Sequence, residues 1–212
     1  METTMPASAG PKLSLREAQR VLTRKRICDA AGHLFYEQGF PAVTMEDIAH
    51  AAGVSRSTLY LHYVDKTALS VEIAAAYADS LCALVARLPG PVPTRVQITN
   101  WIDDLAALIA REHVPATLIV DLSARSEAPA ATGLIGDRLI AALANQLPAL
   151  ARALECDATR PRAQAWAEVA MRELGWACSH RAGDLKDARS ARLTVAAEIF
   201  ERFIQAQIEM ET

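Results

Sequence analysis

Aromatic residues make up only 5% of these 212 residues, and no stretch keeps the strict apolar–polar alternation of a half-buried strand. Ala and Leu are abundant instead. Both lose little rotamer freedom in a helix, so the chain is read as all-α. Long hydrophobic runs are also missing. The longest uncharged stretch, between Arg138 and Arg152, carries Asn145, Gln146 and Pro148 and is too short and too polar to cross a bilayer, so no membrane association is expected. The first residues are Thr, Pro, Ser, Ala and Gly without an apolar run. They read as a disordered tail over 1–14 rather than a signal peptide, with the cytoplasm as the expected location.

Close cysteine pairs are absent too. Cys28, Cys82, Cys156 and Cys178 are scattered without a C-x-x-C spacing, and Cys178 with His180 supplies two ligands where a zinc site needs four. They read as reduced, small apolar residues, with no metal and no cofactor expected. No nucleophile motif, glycine-rich phosphate loop or paired carboxylate pattern supports an enzyme. Cys178 with His180, or His113 with Asp121, are isolated pairs at most.

What is present is a soluble, globular balance of 51% hydrophobic and 22% charged residues with an uneven distribution of charge. The chain carries −3 overall, yet residues 1–66 hold eight Lys/Arg against seven Asp/Glu. Within Lys12 to Arg26, Lys12, Arg16, Arg20, Arg24, Lys25 and Arg26 face a lone Glu17. A basic end on an acidic protein suits contact with nucleic acid, and equally a solvated face.

Helix signals recur along the whole chain. Ser14 with Glu17 has capping-box spacing, and Gly39-Phe40-Pro41 breaks the helix that follows. Thr44 with Asp47 opens a short helix closed by Gly53; Ser55 caps a second, about 56–62; Asp65 caps a longer one from Lys66 to about Leu88. After Pro89-Gly90-Pro91-Val92-Pro93 an apolar stripe of Ile98, Trp101, Ile102, Leu105 and Ile109 marks a further helix. Helices are expected from Pro115, from Pro129 with a kink or break at Pro148, from Pro161 and after Asp184, about nine in all.

The two short helices form the informative unit. Ala49 is the small residue at their crossing, Gly53 the turn, and Ile48, Val54 and Leu59 the apolar anchors, as a helix-turn-helix requires. Arg26-Ile27-Cys28-Asp29-Ala30-Ala31, Leu34-Phe35, Gly39-Phe40, Thr44 to Ala49, Ala52 to Tyr63 and Asp65-Lys66 together resemble the N-terminal domain of TetR-family (TetR/AcrR-type) regulators. The likeness is dense over roughly residues 20–70, with only the order of helices extending it further.

The resemblance implies a DNA-binding domain over 15–66 and a helical regulatory and dimerisation body over 67–212. Arg56, Ser57 and Thr58 fall at the start of the recognition helix, facing base edges and phosphates; Tyr60 meets a thymine methyl or sugar; Thr44 and Lys66 meet phosphate. Thr44 and Ser55 are either caps alone or caps that also contact DNA, and His62 is either structural or DNA-contacting. Leu61 stands where the family varies and receives no role. The residues before Arg24 form an extension that either tracks the DNA backbone or is merely solvated.

For the body, the resemblance implies a homodimer through the last two helices, with Trp166, Val169, Ala170, Leu174, Leu193, Phe200, Phe203 and Ile204 as candidate interface residues. It also implies a ligand pocket among Trp101, Leu105, Ile109, His113, Leu118, Asp121, Leu122 and Leu143, for an apolar or aromatic effector that releases the repressor from a pseudo-palindromic operator.

Overall fold

The computed structural model describes residues 14–90, 93–125, 129–178 and 186–209, and among these it contains ten α-helices and no strand. They are α1 (Leu15–Gln38), α2 (Met45–Ala51), α3 (Arg56–His62), α4 (Lys66–Val85), α5 (Arg95–Arg111), α6 (His113–Arg125), α7 (Pro129–Gln146), α8 (Pro148–Glu155), α9 (Arg160–Cys178) and α10 (Lys186–Glu209).

Local chemistry sets most of the boundaries. Ser14 and Glu17 close a reciprocal capping box, the Ser14 N–H donating to Glu17 at 2.8 Å, and Gly39 ends α1 at φ 82°. Thr44 and Asp47 repeat the box on α2, Ser55 accepts from the Thr58 N–H on α3, and Asp65 accepts from the Ala68 N–H on α4. Thr94 with Gln97 caps α5, so that helix begins three residues before its first buried apolar residue, Ile98. The expected count of nine becomes ten because Pro148 breaks rather than bends its helix. Lacking an N–H, it takes the first position of α8, and Leu147 before it is extended at φ −120°.

A small head and a larger body share α4. In the head, Ile27, Ala31 and Phe35 of α1 pack on Ile48 and Ala49 of α2, Leu59 of α3 and Leu69 of α4, all buried. In the body, α4 lies along α7, and Arg138 of α7 bonds Asp79 and the Ala75 carbonyl of α4. Trp101 of α5 stacks on Phe200 of α10 at 5.1 Å and donates its indole N–H to the Leu84 carbonyl at 2.9 Å, tying three helices together. By length and composition α4 is apolar enough to cross a membrane; here Leu69, Ile73, Tyr77, Leu81 and Leu84 are its buried face in the protein core.

Candidate nucleic-acid interface

The turn between α2 and α3 rests on glycine geometry. Gly53 sits at φ 62°, a conformation that costs a side-chain-bearing residue energy, and the Val54 N–H returns to the Ala49 carbonyl at 3.0 Å. Arg26 of α1 reaches across to donate to the Ala52 carbonyl at 2.6 Å. Ile48, Ala49 and Leu59 anchor the pair from beneath.

With Leu59 fixing the inner face, successive α3 residues turn by about 100° each. Arg56, Ser57, Tyr60 and Leu61 therefore point outward, with Tyr60 45% and Leu61 81% exposed. The Arg56 guanidinium lies 5.8 Å from the Tyr60 ring centroid and 3.8 Å from Glu46. Exposed pairs of this kind hold about 0–1 kcal/mol, which a guanine edge outbids. Ser57 and Thr58 both hydrogen-bond to Ser55 Oγ, at 2.9 and 2.7 Å, so these hydroxyls form one local cluster at the helix start. Thr44 is exposed and closes its cap with Asp47, whose carboxyl is held low by the hydrogen bonds from Thr44. Val64, 75% exposed, adds apolar surface just past α3; neither it nor Leu61 had a residue-type signal in the sequence, because exposure is a property of the fold.

Two sequence-predicted contacts have more internal business than expected. Lys66 donates to the carbonyls of Phe40, Pro41 and Val43 at 2.8, 3.1 and 3.1 Å, and its ammonium sits 4.8 Å from the Phe40 ring centroid. All three of its protons have protein partners, so it staples the start of α4 to the α1–α2 corner. His62 is half-buried with an unpartnered Nδ1, and burial, then Arg20 and Arg24, push its pKa down. Within the basic run, Arg24 pairs with Glu72, Lys25 with Asp29 at 2.6 Å, and Arg26 with the α2–α3 turn. Arg16 and Arg20, one turn apart on exposed α1, have no acidic partner among the described residues.

A cavity of about 660 Å³ lies in the body between α4, α5, α6, α7 and α9. Leu105 and Ile109 are on its wall; Trp101, Leu118, Leu122 and Leu143 are buried in the core away from it. His113 is exposed and meets Tyr36 edge-on, while the Asp121 side chain and His180 lie outside what is described. Of the expected interface residues, Ala170, Leu174, Phe200, Phe203 and Ile204 are buried within this one chain, Trp166 and Leu193 are half-buried, and Val169 is exposed. Among the described residues, the large apolar side chains that α9 and α10 turn outward are Val169, Trp176 and Val195, with Arg192 over the Trp176 ring at 5.0 Å.

Comparison with known proteins bears on this geometry. Residues 27–73, the whole α2–α3 unit with the helices that brace it, match bacterial regulatory proteins of the tetR family. The HTH-type transcriptional regulator AcrR of Shigella flexneri is 45% identical over 58 residues, 27% of this chain and 26% of the relative. The HTH-type transcriptional regulator AlkX of Mycobacterium tuberculosis is 33% identical over 81 residues, 37% of this chain and 38% of the relative. These matches thus span well under half of either relative. Among solved structures, Salmonella enterica GusR aligns with a TM-score of 0.61 at 18% identity, over 87% of this chain and 96% of that one. A TetR-family transcriptional regulator from Streptomyces coelicolor aligns with 0.59 at 17% identity, over 87% and 98%. At such identities the likeness establishes the fold.

Proposed function

We infer from one premise, that the chain belongs to the tetR family of bacterial regulatory proteins, that it is a DNA-binding transcriptional regulator and not an enzyme. The observation that carries this reading is the coincidence of the family match with the outward face of α3. The matched residues hold Leu59 inward and leave Arg56, Ser57 and Tyr60 free for a major groove.

The finer reading is a repressor that binds a pseudo-palindromic operator as a homodimer and leaves it when a small apolar or aromatic effector occupies the body cavity. Support for the dimer is the outward row of Val169, Trp176 and Val195 on α9 and α10; support for the effector is the cavity itself. An effector acts through differential affinity for two body shapes that set the head spacing.

Selection of duplexes from random-sequence DNA at near-physiological salt tests the reading, followed by titration of the recovered sequence. Arg56→Ala is expected to cost about 1–3 kcal/mol of discrimination against the wrong base, with Tyr60→Ala lowering it further while helicity is retained. Unchanged selectivity in both variants removes α3 as the reading element.

A further inference from the structure

Three glycines sit inside helices without the usual reasons for being there. Gly133 and Gly136 lie in α7 and Gly175 in α9. None is among the glycines with positive φ, and a Cβ built on any of the three meets no heavy atom within 4 Å. Neither backbone conformation nor close helix approach calls for them, although each weakens its helix relative to alanine. All three line the same cavity. What they provide in common is room.

The remaining wall divides by chemistry. Its buried part is apolar, from Leu81, Leu105, Ile109 and Ile140, with one polar exception. Tyr77 is 5% exposed, lines the cavity, and its hydroxyl has no hydrogen-bond partner among the described residues. That oxygen is not sealed off, and it stays reachable from the cavity, where a ligand can meet it. The exposed rim holds Asp137, Glu168 and Arg172. Arg172 is offset by Glu173 at 3.7 Å, and Glu168 accepts only the neutral Gln164 amide at 2.9 Å. Asp137 has no cation beside it among the described residues, so the rim keeps two carboxylates without counter-charge.

We propose that this cavity binds a small organic cation with a flat apolar body. The body lies on helix backbone left bare by Gly133, Gly136 and Gly175, a polar atom meets the Tyr77 hydroxyl, and the positive end stays at the rim beside Asp137 and Glu168. The charge belongs at the rim because an unpaired cation in the apolar part is strongly penalised. A volume of about 660 Å³ admits a ligand of this size. The proposal rests on the effector reading and gives that effector a chemical class.

The test is equilibrium dialysis of the full chain against three probes sharing one ring system: anthracen-9-ylmethyl-trimethylammonium, anthracene-9-methanol and anthracene-9-carboxylate. The cation is expected to bind about tenfold more tightly than the anion, the alcohol falling between. Asp137→Asn with Glu168→Gln brings the three within about twofold of one another. Gly136→Leu abolishes binding of all three probes while the helical circular dichroism is retained, since a Cβ at this position meets no neighbour and the side chain fills the cavity instead. An anion bound as tightly as the cation, or a cation indifferent to Gly136→Leu, overturns the proposal. So does the absence of binding by any probe, including the case where cross-linking shows the α7–α9 groove closed by a second copy of the chain. Retention of the selected duplex by the same preparation reads the regulator assignment separately. DNA binding without cation binding removes the cavity proposal alone; cation binding without DNA binding upholds it and removes the regulator reading.

Discussion

At the scale of single residues, Lys66 shows how an ordinary-looking cation acquires a fixed task. Its three hydrogen bonds end on the backbone carbonyls of Phe40, Pro41 and Val43 at the α1–α2 corner. Lys66→Ala is expected to lower head stability by about 0.5–1.5 kcal/mol, since water can replace the ammonium at least at the exposed Pro41 carbonyl. The salt dependence of DNA binding should stay as it is, because the ammonium is already engaged within the protein. A thermal melt together with a salt titration separates the outcomes: full stability with a shallower slope assigns Lys66 to phosphate instead. His62 gives a pH signature. Its folded pKa lies below the ordinary 6.5, lowered by burial, then Arg20 and Arg24, with Glu72 opposing. The unfolded chain therefore binds the proton more readily. The stabilisation is whole above pH 6.5 and is lost as pH falls towards the folded pKa. Melting temperatures measured across that window should fall less steeply for His62→Gln than for the unchanged chain, and parallel curves would refute the assignment.

At the scale of elements, the starts of helices were legible in the sequence because caps are local. Ser14, Thr44, Ser55 and Asp65 each satisfy an N–H three residues ahead, so the sequence spacing is itself the structural contact. The helix-turn-helix was legible for the same reason, Ala49 and Gly53 being four residues apart. What was not legible is which apolar stripe faces inward. Phe200, Phe203 and Ile204 have the spacing of an interface and are instead the core of one chain, because Trp101 and Trp166 come from distant positions to cover them. Cavity walls were hidden by the same non-local choice: Gly133, Gly136 and Gly175 look like ordinary helix interruptions until α7 and α9 are seen side by side. The first turns of α1 pose a further question of element function. Arg16 and Arg20 lie one turn apart without acidic partners among the described residues. Replacing both by Gln is expected to make the salt slope of DNA binding shallower by about two units, one for each phosphate released. An unaltered slope would leave this end of α1 as a solvated extension.

At the scale of the whole molecule, α4 joins the two parts. It begins at the Lys66 staple, carries Glu72 to Arg24 of α1, and ends with the Leu84 carbonyl on Trp101. A change in body shape thus has two packed routes to the head, this continuous helix and the α1–α6 contact where Tyr36 meets His113. The proposed dimer is the other matter at this scale, and Trp176, 40% exposed, is the largest apolar side chain that α9 and α10 turn outward among the described residues. Trp176→Arg places a charge beside Arg192 and is expected to weaken self-association at least tenfold, by roughly 1.4 kcal/mol or more. Sedimentation equilibrium checks this, and an unchanged dimer would move the interface elsewhere.

The distribution of indole rings has a practical consequence. Trp101, Trp166 and Trp176 are the three tryptophans of the chain, and all lie in the body, one against Phe200, one near Phe203 and one at the cavity rim. The head has none. Light absorbed at the red edge of the protein spectrum is therefore emitted by the body only, and the head contributes nothing to that emission. An emission change on adding duplex DNA would therefore have crossed from the head, along α4 or through the α1–α6 packing where Tyr36 meets His113, so the protein carries its own label-free reporter of communication between its two ends.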